Sequence, residues 1–444
     1  MNERLETLKR RVRLGEHRSV RQTGSVDVLS ECGAGQLSWT KRVARLVRRQ
    51  CEAEEATIGV GERIVFTRTL PVVPPVYTAQ DWACLTAGRT LHELGPISNI
   101  CADWALLLEQ GLLGRQQVAL STRARLAGDP QATEFLDSAI ETIDAALELA
   151  RRYANQARTL GLDDLAEILE WVPAHPARTF HEALQSLRIC HAVVWLGGNY
   201  HVGLGRFDQY MWPYLKSDLA SGRESLESAE ELLAEFFISL NKDSDLYPGV
   251  QQGDNGQTLT LGGVMPDGGS AVNELTRTVL RVARDVAMID PKINLRISAR
   301  TDLELLSLAT ELTRMGLGFP QYSNDDVVIP ALAAHGYDLK DARDYVVAAC
   351  WEFIIPGRSM EVVNIGAVSF PAAVDRAIRD GLAAGEDFNH IRGRVAVEIR
   401  EQVKQAGGKW NRSRKVWELR YERVVALKLE ARIVEEASNT RDQG

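Results

Sequence analysis

The stretch from residue 257 to residue 298 decides the fold class of this chain. It contains QTLTLGGV at 257–264, NELTRTVLRVARDVA at 273–287 and INLRIS at 293–298. The first segment alternates and ends in glycines, which predicts a strand entering a turn. The second predicts a helix and the third another strand. A further helix at Leu303–Gly316 and an extended Phe319–Asn324 continue the alternation, which predicts an α/β layer.

The sequence on both sides of this layer predicts mainly helix. Thr133–Thr159 spaces its apolar residues alternately by four and three, which places them on one helix face. Phe180–Leu196 and Ser225–Asn241 predict two more helices, with Ser225 as the N-cap of the second. The segment Trp410–Ala437 predicts a last, amphipathic helix. We therefore expect an α/β layer packed against an earlier helical region.

Composition excludes several classes of function. The 444 residues are 45% hydrophobic and 25% charged, as in globular proteins, and their net charge of −8 disfavours a nucleic-acid partner. We expect no membrane span and no secretory signal, because no apolar run approaches about 18 residues. The six cysteines are scattered without a CxxC pair, which disfavours disulfides and metal sites. These features predict a cytoplasmic protein with reduced thiols.

Cys350 is the sharpest chemical candidate. It follows the apolar run from Tyr345 to Ala349, and Glu352 stands two residues later. A cysteine in apolar company is more often an inert core residue, but a nearby carboxylate favours a chemical role. The cluster around Asn324 and Asp325 has two open interpretations, a site for a hard cation and a helix N-cap, of which the cap is favoured.

Several motifs occur in the order found in one known family. Together they resemble the pyruvate formate-lyase-like, or glycyl radical, enzymes. The motifs cover most of the chain up to about residue 385. They are residues 176–185 (PARTFHEALQ), 205–214 (GRFDQYMWPY), 258–263 (TLTLGG), 273–275 (NEL), 316–320 (GLGFP), 324–325 (ND), 342–345 (ARDY) and 350–352 (CWE).

The resemblance implies a fold and a division of the chain. Enzymes of this family fold as a ten-stranded α/β barrel of two half-barrels, with a cysteine-bearing finger loop inside. We therefore expect an α/β fold in which a helical N-terminal region precedes an α/β half-barrel. The implied parts are residues 1–245, mainly helical, residues 246–385, the half-barrel with the Cys350 loop, and residues 386–444, a helical segment.

The resemblance also implies a chemistry. In such enzymes a glycyl radical, installed by a radical-SAM activase, takes hydrogen from the cysteine, whose thiyl radical then attacks the substrate. Cys350 would carry the thiyl radical and Glu352 would act as acid or base in a lyase, with no bound cofactor and a small polar substrate. Acyl transfer is disfavoured, since the adjacent cysteines of pyruvate formate-lyase are lacking. Asp103 is the match that the resemblance implies for a further polar site residue, and we expect Arg296, Asn324 and Trp351 to bind the substrate with it.

One element of the family pattern does not occur in this sequence. Relatives carry a glycyl loop close to Arg-Val-x-Gly-Tyr, and no such stretch is found here. Three interpretations stay open. The first is one half of a split enzyme whose second subunit supplies the glycyl loop. The second is a paralogue that works without a glycyl radical, with Cys350 as an ordinary nucleophile or with another radical source, and the third is a non-catalytic binding or regulatory subunit. Each favours a homo- or hetero-oligomer, and Trp410–Ala437 could form the contact or pack on its own chain.

Overall fold

The computed structural model describes most of the chain. The described residues are 1–34, 37–81, 83, 97–246, 256–349, 351–359, 370–405, 409–411 and 416–418. They belong to two compact units. The first unit comprises residues 1–78 and 95–361, and the second comprises residues 79–94 and 362–444. The domain boundaries expected from the sequence stay a prediction.

Helices dominate the first 240 residues of the first unit. Phe180–Leu196 forms a helix with the predicted bounds, and Ser225 caps the next predicted one by accepting from the Ser228 N–H. The helices are α1 (Glu3–Arg13), a 3-10 helix (Glu16–Val20), α2 (Leu29–Ala34), α3 (Trp39–Ala53), α4 (Trp104–Arg125), α5 (Pro130–Thr159), α6 (Asp163–Trp171), α7 (Phe180–Leu196), α8 (Phe207–Tyr210), α9 (Trp212–Ser221) and α10 (Leu226–Leu240).

A four-stranded parallel sheet follows, in the order β3-β4-β5-β6. Helices α11 (Glu274–Val286) and α12 (Leu303–Arg314) connect its strands, as the alternation predicted, and α13 (Asp325–Ala334) and α14 (Leu339–Arg343) come after it. The fold class expected from the sequence is confirmed. The strands of the sheet are β3 (Gly205–Arg206), β4 (Thr258–Gly262), β5 (Lys292–Ile297) and β6 (Gln321–Asn324).

The core of the first unit joins this sheet to the helices. Leu259, Leu261, Ile293 and Leu295 of the central strands are at most 1% exposed. They belong to the same apolar cluster as residues of α7, α10 and α11. Strands buried on both faces are typical of parallel sheets, because helices cover them.

Two small sheets complete the first unit. Strands β1 (Ile97–Ile100) and β2 (Tyr200–Val202) are parallel, and β7 (Val346–Ala348) pairs antiparallel with β8 (Glu352–Ile354). The N–H of Gly203, between β2 and β3, donates to the Ile100 carbonyl at 2.8 Å, so the end of β1 lies beside the connection from β2 to β3.

The second unit contains helices α15 (Phe370–Ala383) and α16 (Phe388–Gln405) and two strands. The strands β9 (Lys409–Asn411) and β10 (Val416–Glu418) form an antiparallel pair. The predicted helix Trp410–Ala437 is therefore wrong over its described residues, and the remainder lies outside them. Helical spacing was outweighed here by tryptophan and valine, which favour strands.

Membrane insertion finds no support in the described helices. None of them combines the length and the apolar character that crossing a bilayer requires.

Candidate functional site

Two short strands flank the predicted catalytic cysteine along the chain. Ala348 of β7 pairs with Glu352 of β8, and residues 349–351 connect them. Cys350 lies outside the described residues, so its role stays a prediction. The site is therefore built from its described neighbours Ala349, Trp351 and Glu352.

Two threonines of β4 hold the first strand of this hairpin. The Thr258 hydroxyl donates to the Ala349 carbonyl oxygen at 2.5 Å, and the Thr260 hydroxyl accepts from the Val347 N–H at 3.2 Å. Both threonines are fully buried, so these bonds satisfy groups that water does not reach. The hairpin strand therefore runs against the direction of β4, and Ala349 lies beside the N-terminal end of β4.

A histidine and an asparagine lie at the same end of β4. The Nδ1 atom of His201 is 3.1 Å from the Oδ1 atom of Asn99. A Cβ placed on Gly256 would lie 2.8 Å from the Cα of His201, and the Gly256 carbonyl accepts from the Thr258 N–H at 2.8 Å. Gly256 and Thr258 thereby connect the Asn99–His201 pair to Ala349, Trp351 and Glu352, which we call the hairpin tip.

The backbone at this place is strained. Among the described residues, five other than glycine have positive φ, and three of these are Asn99 (41°), His201 (60°) and Ala349 (55°). A left-handed conformation costs a residue with a Cβ about 1–2 kcal/mol. Such strain concentrates at functional sites, where the surrounding structure enforces it. The three strained residues therefore mark the hairpin tip as a candidate active site.

The carboxylate of Glu352 belongs to this tip. Its Oε2 atom accepts from the Trp351 N–H at 2.9 Å, and the side chain is half-buried. This bond turns the carboxylate back along the chain toward the connection between the two strands. Trp351 is 55% exposed, which leaves its ring available to contact a molecule at the tip.

Arg296 lies instead at the other end of the hairpin. Its Nε and Nη2 atoms donate to the two carboxylate oxygens of Asp325 at 2.8 and 3.0 Å, and Nη1 donates to the Tyr345 carbonyl at 3.0 Å. Arg296 is fully buried and lies 4.0 Å above the Tyr345 ring. Burial raises the pKa of the Tyr345 hydroxyl, which donates to Asp325 at 2.7 Å. Arg296 thus fixes the residue that precedes β7.

Asn324 and Asp103 are both helix caps. Asn324 accepts from the Asp326 N–H at 3.0 Å and begins α13, which supports the capping interpretation. Asp103 accepts from the Leu106 N–H at 3.0 Å and begins α4. Asp103 also borders the loop after β8, since a Cβ on Gly357 would lie 2.8 Å from its own Cβ.

The geometry divides the predicted site residues into two groups. Trp351 and Glu352 lie at the hairpin tip, near the N-terminal end of β4. Arg296 and Asn324 lie at the C-terminal ends of β5 and β6. The first and last residues of a five-residue strand lie about 13 Å apart, so the two groups are far apart for one small substrate. The substrate-binding roles of Arg296 and Asn324 stay predictions that this distance does not favour, and the role of Asp103, which borders the loop after β8, stays a prediction.

Sequence reasoning missed three residues of the tip. Thr258 was noted only within the 258–263 motif, and neither Asn99 nor His201 was selected as a site residue. The spacing of His181, His191 and His201 by ten residues argues against a shared metal site, but it says nothing about the fold around each of them. Among the described residues, no group of three or more His, Cys, Asp and Glu side chains is arranged to hold a metal ion.

Comparisons with known proteins agree with this architecture. Isethionate sulfite-lyase of Nitratidesulfovibrio vulgaris is 31% identical over 306 residues, which are 63% of this chain and 37% of that protein. (2S)-3-sulfopropanediol dehydratase of Klebsiella oxytoca is 27% identical over 324 residues, 67% of this chain and 39% of that protein. The chain thus matches less than two fifths of the length of either relative.

The solved structures show a similar fold. The glycerol-bound B12-independent glycerol dehydratase of Clostridium butyricum superposes with a TM-score of 0.71 at 21% identity, over 91% of this chain and 62% of that one. The family model described as pyruvate formate lyase-like matches residues 73–396, about three quarters of the sequence. The resemblance seen in the motifs is thereby confirmed, and the chain belongs to the pyruvate formate lyase-like family.

Proposed function

We propose that this chain is the cysteine-bearing part of a glycyl-radical-type lyase that acts on a small hydroxylated substrate. The observation that carries this proposal is the strained Ala349, held by the Thr258 hydroxyl directly before Cys350, with Glu352 returning on the paired strand. Strain of this kind persists only where neighbouring structure enforces it. The names of the relatives, a sulfite-lyase and dehydratases, support the same class of reaction.

The roles of the two central residues follow from their chemistry. Cys350 would lose its thiol hydrogen to a glycyl radical and then, as a thiyl radical, take a hydrogen atom from a substrate carbon. The S–H bond is thereby re-formed and the unpaired electron moves to the substrate. Glu352 would accept a proton from a substrate hydroxyl or donate one to the leaving group. Trp351, half-exposed beside them, would cover the apolar side of the substrate.

The radical would come from a second polypeptide. These 444 residues contain no Arg-Val-x-Gly-Tyr stretch, and the proposal includes a partner subunit that carries the glycyl loop and a radical-SAM activase. Strand β6 lies at one edge of the four-stranded sheet and pairs only with β5 among the described residues. This edge supports the proposal of a partner subunit. An open strand edge is a ready surface for a further strand. The resulting enzyme would be a hetero-oligomer.

The test is anaerobic reconstitution of the full chain with its co-purifying partner and activase. Isethionate, 3-sulfopropanediol and glycerol, taken from the names of relatives, form the first substrate panel. We expect a glycyl electron-resonance signal and turnover of a hydroxylated substrate. Cys350→Ala should abolish turnover, and Glu352→Gln should lower kcat by roughly 10²–10⁴. Cys190→Ala, which changes a buried cysteine of α7, should stay active.

Two results would contradict the proposal. Full activity of Cys350→Ala would favour the binding or regulatory subunit. Turnover by the wild type without any glycyl signal would favour the paralogue that uses Cys350 as an ordinary nucleophile.

A further inference from the structure

The face of β4 and β5 that lies under the hairpin is polar, although strands of parallel sheets are usually apolar on both faces. The register sets Lys292, Asn294 and Arg296 of β5 opposite Thr258, Thr260 and Gly262 of β4. Because side chains alternate along a strand, residues opposite each other in register share one face. The hairpin lies on this face, since its backbone bonds to the hydroxyls of Thr258 and Thr260.

Lys292 begins β5 at the end of this face where the hairpin tip lies. It is the register partner of Thr258, whose hydroxyl holds the tip. The Lys292 N–H donates to the Gln257 carbonyl at 3.0 Å, and Gln257 follows Gly256, which adjoins His201. Neighbouring strands lie about 4.8 Å apart, so the Lys292 backbone is one strand spacing from the residue that holds the tip.

Arg296 is the second cation of this face of β5, and its charge is already neutralised. It is paired with Asp325, and both side chains are at most 2% exposed. It also lies four residues after Lys292, toward the other end of the hairpin. Lys292 is half-buried at the level of the tip. Of these two cations, only Lys292 is therefore placed to contact a molecule bound at the tip.

A lysine at this place favours a substrate with negative charge. Its ammonium group carries three N–H donors and a compact positive charge on a flexible stem, which suits the oxygens of a sulfonate or a carboxylate. The ionised Glu352 at the tip would repel such a group, and a positive charge on the sheet offsets that repulsion. A neutral polyol would gain no comparable attraction from the ammonium group.

We propose that Lys292 binds an acidic group of the substrate. The substrate class is then a hydroxylated sulfonate or carboxylate, whose hydroxyl-bearing carbons lie next to Cys350 and Glu352 while the acidic group contacts Lys292. This inference rests on the proposed lyase function, because it assigns Lys292 to the same site. Lys292 determines specificity and takes no part in the transfer of hydrogen atoms or protons.

Three probes that share a vicinal diol test the charge preference of the reconstituted enzyme. They are 3-sulfopropanediol, 3,4-dihydroxybutanoate and the neutral 1,2,4-butanetriol. We expect kcat/KM to be at least about tenfold higher for one of the anions than for the triol. A preference for either anion supports the proposal and identifies the acidic group. An equal or higher kcat/KM for the triol overturns it.

The variant Lys292→Met removes the charge and keeps the approximate length of the side chain. We expect KM for the preferred anion to rise about 10–100-fold at nearly unchanged kcat, since a charge-assisted hydrogen bond is lost from binding. The ratio of kcat/KM between anion and triol should fall by the same factor, and this ratio does not depend on how much of the variant folds. Lys292→Arg should restore part of the preference.

Lys340→Met is the matched control, because Lys340 is exposed on α14. It should leave the ratio of kcat/KM between anion and triol unchanged. A ratio in Lys292→Met that equals the wild-type ratio overturns the proposal.

Binding to the full chain with Cys350→Ala separates this inference from the proposed function. This variant has no thiol to react, so calorimetric titration measures the affinity for anion and triol without turnover. Tighter binding of an anion that is lost on adding Lys292→Met supports the role of Lys292, and equal binding of anion and triol overturns it. Lysine-dependent anion binding without a glycyl signal or turnover would contradict the proposed lyase alone.

Discussion

Arg296 and Asp325 form a bidentate ion pair in the interior of the first unit, with N–O distances of 2.8 and 3.0 Å. Both side chains are at most 2% exposed. Asp325 also accepts from the Tyr345 hydroxyl, so the pair joins β5, the start of α13 and the residue before β7. Three segments that are distant along the chain are thereby fixed next to the hairpin.

We predict that Asp325→Asn destabilises the protein by about 3–5 kcal/mol, because it leaves the Arg296 charge buried without its partner. Urea unfolding measures this change in free energy. Asp326→Asn is the matched control. That side chain is exposed and accepts from the Ala299 N–H at 2.7 Å, which an amide oxygen also does. A loss in the control as large as in Asp325→Asn would contradict the role of the buried pair.

Replacement of Gly357 by alanine should destabilise the loop after β8. Gly357 has φ +65°, and a Cβ there would lie 2.8 Å from the Cβ of Asp103. Gly316→Ala is the control, since its φ is +75° with no atom within 4 Å of the added Cβ. The control should lose about 1–2 kcal/mol from conformation alone, and Gly357→Ala about 1–3 kcal/mol more. Urea unfolding measures both losses of unfolding free energy. Equal losses in Gly357→Ala and Gly316→Ala would show that the loop accommodates the added Cβ without a further free-energy cost.

Thr258→Val should lower activity more than stability. It removes the bond to the Ala349 carbonyl, and we expect kcat to fall about tenfold with roughly 1 kcal/mol of unfolding free energy lost. Thr278→Val is the control, because Thr278 is also fully buried and accepts from Arg281 at 2.9 Å. It should show a similar loss of stability at unchanged kcat. The reconstituted enzyme and urea unfolding give the two measurements. Equal kcat in the two variants would rule out a positioning role for Thr258.

Stability should fall in mild acid because of buried His191. Burial lowers its pKa from 6.5 to about 4. Between those pH values the unfolded chain binds a proton that the folded chain does not, so the stabilisation is complete above pH 6.5 and is lost as the pH falls toward 4. The loss from this residue is about 3 kcal/mol. Urea unfolding at several pH values measures it.

The variant His191→Phe tests the assignment of this pH dependence. The imidazole lies between the Trp104 and Trp195 rings, with centroids 5.9 and 5.8 Å away, so a phenyl ring suits the same space. The variant should lose much of the slope between pH 6.5 and 4. Some slope should remain, since burial also lowers the pKa of His17 to about 4 and lowers the pKa of His181. The exposed control His335→Phe should show the same pH dependence of stability as the wild type. If His191→Phe also shows the pH dependence of the wild type, His191 is excluded as its cause.

Local patterns were enough to predict most of the elements. Phe180–Leu196 is a helix with the predicted bounds, and the strand predicted at 293–298 is β5, one residue earlier at each end. Such segments are specified by periodicity and capping residues that lie close together in the chain. The helix prediction was wrong at residues 410–411 and 416–418, which belong to two paired strands. Pairing between strands is a non-local interaction, and the spacing of apolar residues within one segment does not predict it.

The sequence predicted only part of the candidate site. Arg296 and Asn324 were predicted as polar members of a pocket for a small polar substrate. Their binding role stays a prediction; in the structure Arg296 is paired with Asp325, and Asn324 is a helix cap. His201 and Thr258 adjoin the hairpin tip although they precede Cys350 by about 150 and 90 residues in the sequence. No spacing rule connects positions so distant along a chain.

The sequence by itself determined the family, the α/β class and the Cys350-Trp351-Glu352 motif, because these depend on residue types at fixed short spacings. Only the tertiary structure decided which groups surround that motif. The strain at Ala349, the hydroxyl of Thr258 and the Asn99–His201 pair come together through the packing of the hairpin along β4. Such contacts join residues that are far apart in sequence, and burial, which excludes water, makes each of their hydrogen bonds necessary.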